Sequence, residues 1–209
     1  MTSILAMVTA LVLAVNGLFS VASVTAEKIP KIPDIVHEVD DVENVEEAEV
    51  ETEEKTGSID YAHYYVCKDF GDISRGSTSM ARTGALDLCY AMAIEKVTGM
   101  TVDVHVLVSK YVHKDLLYTS LLLNDMNMKE RMLDFTASAV RKEVDAGNPV
   151  VVVFRTERGT MSPCVITGYD SKGISLWSPA YGKEMKLPYA LDVSKRVMSA
   201  RVLTSNSAN

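Results

Sequence analysis

Three cysteines, Cys67, Cys89 and Cys164, and four histidines, His37, His63, His105 and His113, are the side chains here best suited to nucleophilic or metal chemistry. A thiolate beside an imidazole would make a cysteine hydrolase, in which sulfur attacks and the ring moves the proton. Cys89 or Cys164 working with His105 or His113 is the pairing open to such an enzyme. Lone Cys and His residues in apolar segments are more commonly packing residues. The cysteines are too few and too widely spaced for a disulfide framework or a zinc ribbon. The histidines show no metal-ligand spacing with acids or cysteines. No Walker loop, dinucleotide fingerprint or basic stripe occurs, so no cofactor, no metal and no nucleic-acid partner are expected.

The elements that must hold these residues follow from periodicity. Residues 60–70 are rich in aromatics and read as an extended lead-in, and 71–84 as a Gly-, Ser- and Thr-rich loop. Residues 85–98 form the strongest helix, with Leu88, Cys89, Met92, Ala93 and Val97 on its apolar face and Gly99 to end it. Few of its positions are charged, so it is expected to be largely buried. Asp103 is placed to cap a helix running to about Tyr111. Residues 114–127 suit helix or strand equally. Residues 136–146 read as a helix closed by Gly147, and Pro149 to Phe154 as a central strand. Met161 to Pro179 reads as a hairpin turning at Asp170-Ser-Lys-Gly173, with Gly173 available for positive φ. Strands near 184–187 and 196–203 complete the pattern. Helices come first and strands last, which gives an α+β class with a largely antiparallel sheet.

The chain has 209 residues and a net charge of −7. Residues 4–19 are apolar, and Val24-Thr25-Ala26 fits signal-peptidase cleavage before Glu27, so 1–26 is expected to be a signal peptide. The apolar run is short for a membrane span, and an uncleaved signal segment is the sole expected membrane attachment. Residues 27–58 hold twelve acidic residues and three lysines, leaving sixteen acidic and eighteen basic residues elsewhere. The negative charge therefore belongs to an acidic, disordered linker that cannot form a core. Residues 59–209 are the right size for one domain. A secreted or extracytoplasmic protein, bacterial in type, is the expectation.

Three blocks then line up in order with a known family. Ala91-Met-Ala-Ile-Glu-Lys-Val-Thr-Gly99 resembles the nucleophile-bearing helix of papain-like peptidases of the bacteriocin-processing, double-glycine type (peptidase C-39-like). Glu143-Val-Asp-Ala-Gly-Asn-Pro-Val-Val-Val153 resembles that family's helix, Gly-x-Pro-Val and strand. Cys164-Val-Ile-Thr-Gly-Tyr-Asp170, with Gly173-Ile174 and Ser178-Pro179, is similar to its catalytic hairpin. The resemblance implies a papain-like fold over 59–209. It places Ala85 where the family has its nucleophilic Cys, Ser162 where it has the basic His, and Ser178 where it has the Asp. A methyl cannot attack, and neither serine is a base near neutral pH. No histidine follows His113 to replace the missing base.

The resemblance thus implies an exported, catalytically inactive domain that binds a peptide or protein ligand, with the Cys89 or Cys164 hydrolase and an unrelated α+β binding module as alternatives. The same register puts Ala85 opposite Ser162, with Cys89 and Cys164 a layer deeper as two buried thiols or as a disulfide, and Cys67 outside the pair. Export has a direct check. Intact mass of the product from a secreting host should give an N-terminus at Glu27; a product retaining 1–26 would identify an anchored protein.

Overall fold

The computed structural model describes residues 56–189 and 196–206. The expected signal peptide and all but the last three residues of the expected linker lie outside that range. The centre of the fold is α2 (Ala85–Thr98), in which ten of fourteen residues are buried, so other elements must enclose it on every side. It ends as the sequence indicates, with Gly99 at φ 70° and its N–H bonded to the Glu95 carbonyl. Ahead of it come a 3-10 turn (Cys67–Phe70), the short pair β2 (Ser74–Arg75) and β3 (Thr78–Ser79), and a single turn α1 (Met80–Thr83). The expected loop 71–84 is therefore a small hairpin and a helical turn.

After α2 comes α3 (Val104–Tyr111), capped by Asp103, which accepts from the His105 and Val106 N–H groups. The ambiguous stretch resolves into both structures. β4 (Val112–His113) pairs with β5 (Leu116–Leu117), and α4 (Thr119–Asp125) follows. α5 (Ala137–Asp145) is capped by Thr136, which accepts from the Ala139 N–H.

The main sheet contains β6 (Met128–Met132), β7 (Val150–Arg155), β8 (Met161–Tyr169), β9 (Gly173–Ser178), β10 (Lys183–Pro188) and β11 (Val197–Ser205) in the order β10-β9-β8-β7-β11-β6. All of its pairings are antiparallel. β6 is an edge strand that the sequence did not announce, since Met-Lys-Glu-Arg-Met has no strand alternation. β1 (Gly57–Ser58) pairs with Tyr169 and Gly168 of β8. Gly57 and Ser58, the last residues of the expected linker, thus pair with the main sheet. The arrangement is α+β with a largely antiparallel sheet.

Helices cover both faces of the sheet. Leu86 and Tyr90 of α2 border a pocket with Val151, Val153, Ser199 and Arg201. These are opposed positions of β7 and β11, so they share one face. α5 lies on the other face. Its Asp145 accepts from the Tyr169 hydroxyl at 2.5 Å, and its Glu143 pairs with Arg131 at 2.6 Å.

The hairpin motif is explained by contacts. A Cβ at Gly168 would sit 2.5 Å from the Gly57 carbonyl, so glycine is needed for β1 to cross there. Asp170 makes the turn by accepting from the Lys172 and Gly173 N–H groups. Gly173 is required for a different reason from the one expected. It is absent from the positive-φ glycines of the described residues, but its Cβ would lie 2.2 Å from the Leu187 carbonyl of β10.

The Asp87 carboxylate is fully enclosed and is held by Arg75, with Nε–Oδ2 at 2.5 Å and Nη2–Oδ1 at 3.0 Å. Asp87→Ala should lower the unfolding free energy by about 3–5 kcal/mol, because it strands a buried guanidinium. Asp87→Leu with Arg75→Met should recover most of the loss. Urea denaturation of the three proteins measures both effects, and a loss near zero in the single variant would remove this pair from the account of stability.

Candidate functional site

The two serines and the cysteine of the hairpin lie together. Ser162 and Cys164 are alternate residues of β8, opposite Phe154 and Val152 of β7. The β8–β9 register, carried on one residue from Val165 opposite Trp177, sets Cys164 beside Ser178. All three are buried. The Ser162 hydroxyl is 4.0 Å from the Cys164 sulfur. Ser178 also acts on the sulfur from β9, while its Oγ makes no hydrogen bond of acceptable geometry. Ser162, Phe154, Tyr181 and Met185 border a cleft of about 490 Å³, with Thr160 and Arg158 on its rim. Tyr181 is 58% exposed.

Ala85 begins α2, on the layer that meets Val151 and Val153. By strand alternation Ser162 shares one face of β8 with Cys164, next to Phe154 of β7. The residues bordering the Ser162 cleft come from β7 to β10 and their connections, not from α2.

Cys67, Cys89 and Cys164 are buried free thiols. None of the three is bonded to another, so the disulfide option is not taken. Burial pushes Cys67 up to about 11, with the Asp87 charge adding to it. Burial likewise holds Cys164 at about 11 against a smaller pull from the Ser178 and Ser162 hydroxyls, and it raises Cys89 well above an ordinary thiol. His105 is exposed on α3, and His113 is exposed with its ring against Tyr118. The structure does not bring either imidazole to the enclosed thiols. Among the described residues no three His, Cys, Asp or Glu side chains converge as metal ligands.

One polar cluster escaped the sequence analysis. Glu95, on α2, is enclosed and accepts from His63 Nδ1 at 2.9 Å, the Tyr65 hydroxyl at 2.6 Å and the Val102 N–H at 2.8 Å. The His63 and Tyr65 rings stack at 5.5 Å. The available signal was an acid amid the apolar residues of a buried helix, which must find partners. A second concavity, of about 320 Å³, lies between α2, α3 and α4 and is lined mainly by apolar groups such as Leu107, Leu122 and Met126. Its Lys110 amine is engaged by Asp125 at 2.8 Å.

With this geometry in hand, the fold has a recognisable relative. The chain superposes on the crystal structure of a Bacillus anthracis protein described as a C39-like peptidase, with a TM-score of 0.50 and 15% identity, covering 74% of this chain and 100% of that one. No protein-family model and no curated protein matches the sequence. The fold is therefore that of the C39-like, papain-like peptidases.

Two measurements follow from the site. At pH 7 the folded protein should react negligibly with iodoacetamide, rising about tenfold per pH unit towards pH 11 as the Cys67 and Cys164 thiolates form. Three equivalents should react in urea. A thiol that labels rapidly at neutral pH in the native state would contradict the enclosure. Ser178→Ala should stabilise the protein by about 1–2 kcal/mol by removing an unpartnered buried hydroxyl, as read from the denaturation midpoint.

Proposed function

We propose that this protein is an exported, catalytically inactive C39-like domain that binds a peptide or protein segment in the cleft above Ser162. The observation that carries the reading is the chemistry gathered at the hairpin. Two hydroxyls, Ser162 and Ser178, stand at the positions the family resemblance assigns to a base and its orienting acid, with the Cys164 thiol between them, and among the described residues no imidazole is beside them. A general base must be able to take a proton near neutral pH, and serine cannot. At the helix position the resemblance assigns to the nucleophile, Ala85 offers only a methyl group.

The cleft has features that suit an extended chain. It is bordered by strands, has apolar walls in Phe154 and Met185, and carries an exposed aromatic in Tyr181 as an anchor. In this reading the acidic residues ahead of β1 space the domain from the export site.

The test uses the full chain. It should leave double-glycine leader peptides and a general peptide library uncleaved, while extended peptides slow hydrogen exchange in β8 and β9. Cleavage that a thiol alkylator blocks would overturn the assignment of inactivity. Absence of any protection in β8 and β9 would overturn the binding role.

A further inference from the structure

We infer that the Ser162 cleft selects peptides carrying acidic side chains, with Arg158 and Lys183 as the residues that read them. This rests on the peptide-binding reading above and adds the chemistry of the ligand. Arg158 borders the cleft from the tip of the β7–β8 connection. Lys183, the first residue of β10, stands directly opposite Ser178. Opposed residues of an antiparallel pair project to the same face, so Lys183 shares the face of Ser178 and of Met185 two residues on. Both cations are exposed, and among the described residues neither makes an ion pair.

The acid at the same rim is already answered. Glu157 borders the cleft and is paired with Arg196 at 3.4 Å. Glu184, next to Lys183, points to the other face of β10 and accepts from Thr167 at 2.8 Å. Among the described residues, the rim thus offers Arg158 on the cleft and Lys183 on the adjoining face of β10, neither in an ion pair. An extended ligand presents every second side chain to one side, about 6.6 Å apart. Acidic residues at alternate positions would meet the cations while the residues between them lie towards solvent. Arginine holds a carboxylate through two parallel N–H bonds, and lysine adds a point charge.

The experiment is fluorescence anisotropy on the full chain with three fluorescein-labelled, C-terminally amidated nonapeptides. One alternates Glu with Leu and Ser, the second has Gln in place of Glu, and the third has Lys. The Glu peptide should bind at least about tenfold more tightly than the Gln peptide, since two partly exposed charge pairs act together, and the Lys peptide more weakly still. The preference should shrink between 0.05 and 0.5 M salt. Arg158→Ala and Lys183→Ala should each weaken the Glu peptide severalfold and leave the Gln peptide unchanged; Arg158→Lys should keep part of the effect. Both side chains are exposed, so the variants should fold. Equal binding of the Glu and Gln peptides would overturn the acidic preference while the peptide-binding function stands. A preference that survives both alanine substitutions would overturn the roles of Arg158 and Lys183. Failure of all three peptides to protect β8 and β9 from exchange would overturn the binding function itself, and this inference with it.

Discussion

The structure depends on two carboxylates that α2 carries into the core. A helix with no solvent face cannot leave Asp87 and Glu95 unpaired, because an isolated buried charge costs several kcal/mol. Each is met by a segment from the N-terminal part of the fold. Asp87 takes Arg75, whose Nη1 also donates to the Asp115 carbonyl, and Asp115 in turn holds Ser77 and Thr78. Glu95 takes His63, Tyr65 and the Val102 N–H. Residues 63–78 are thereby wrapped around the helix at both ends. The sheet supplies the remaining cover through the Val151–Val153 face.

That enclosure bears on the chemistry of the hairpin. The same dense packing that hides α2 also shuts in all three sulfurs, and a thiol with a pKa near 11 is a packing residue at neutral pH. The contrast with a cysteine hydrolase is physical. Such an enzyme keeps its sulfur in a polar, partly open position where the thiolate is stabilised. Here the open space is the cleft that Ser162, itself buried, borders, and the nearby Cys164 sulfur is sealed in beside it.

The α+β class, the helix at 85–98 with its glycine stop, the cap at Asp103 and the hairpin at 161–179 were all legible, since each rests on a local pattern. The edge strand Met128–Met132 was not, because its pairing with β11 is set by partners seventy residues away. Nor was the reason for Gly173, which concerns the backbone of β10 and not the turn. The site was legible as a set of residue types along β8 and β9. Which face of the sheet they occupy follows from pairing register, and a one-residue change there would reverse it. The clamp on Glu95 was hidden because a histidine and a tyrosine in a lead-in segment give no sign of where their hydrogen bonds go.

The two-residue strand β1 has a mechanical consequence. Gly57 and Ser58 are held to the far end of β8, and the Ile59 N–H is bonded to the Thr167 carbonyl. A load arriving through Thr56 is received first at this seam. A load along the strand direction would strain these few bonds together in shear, whereas one across it would open them singly. The seam is therefore a short mechanical fuse, and it adjoins the central strand whose opposite end carries Ser162 and Cys164.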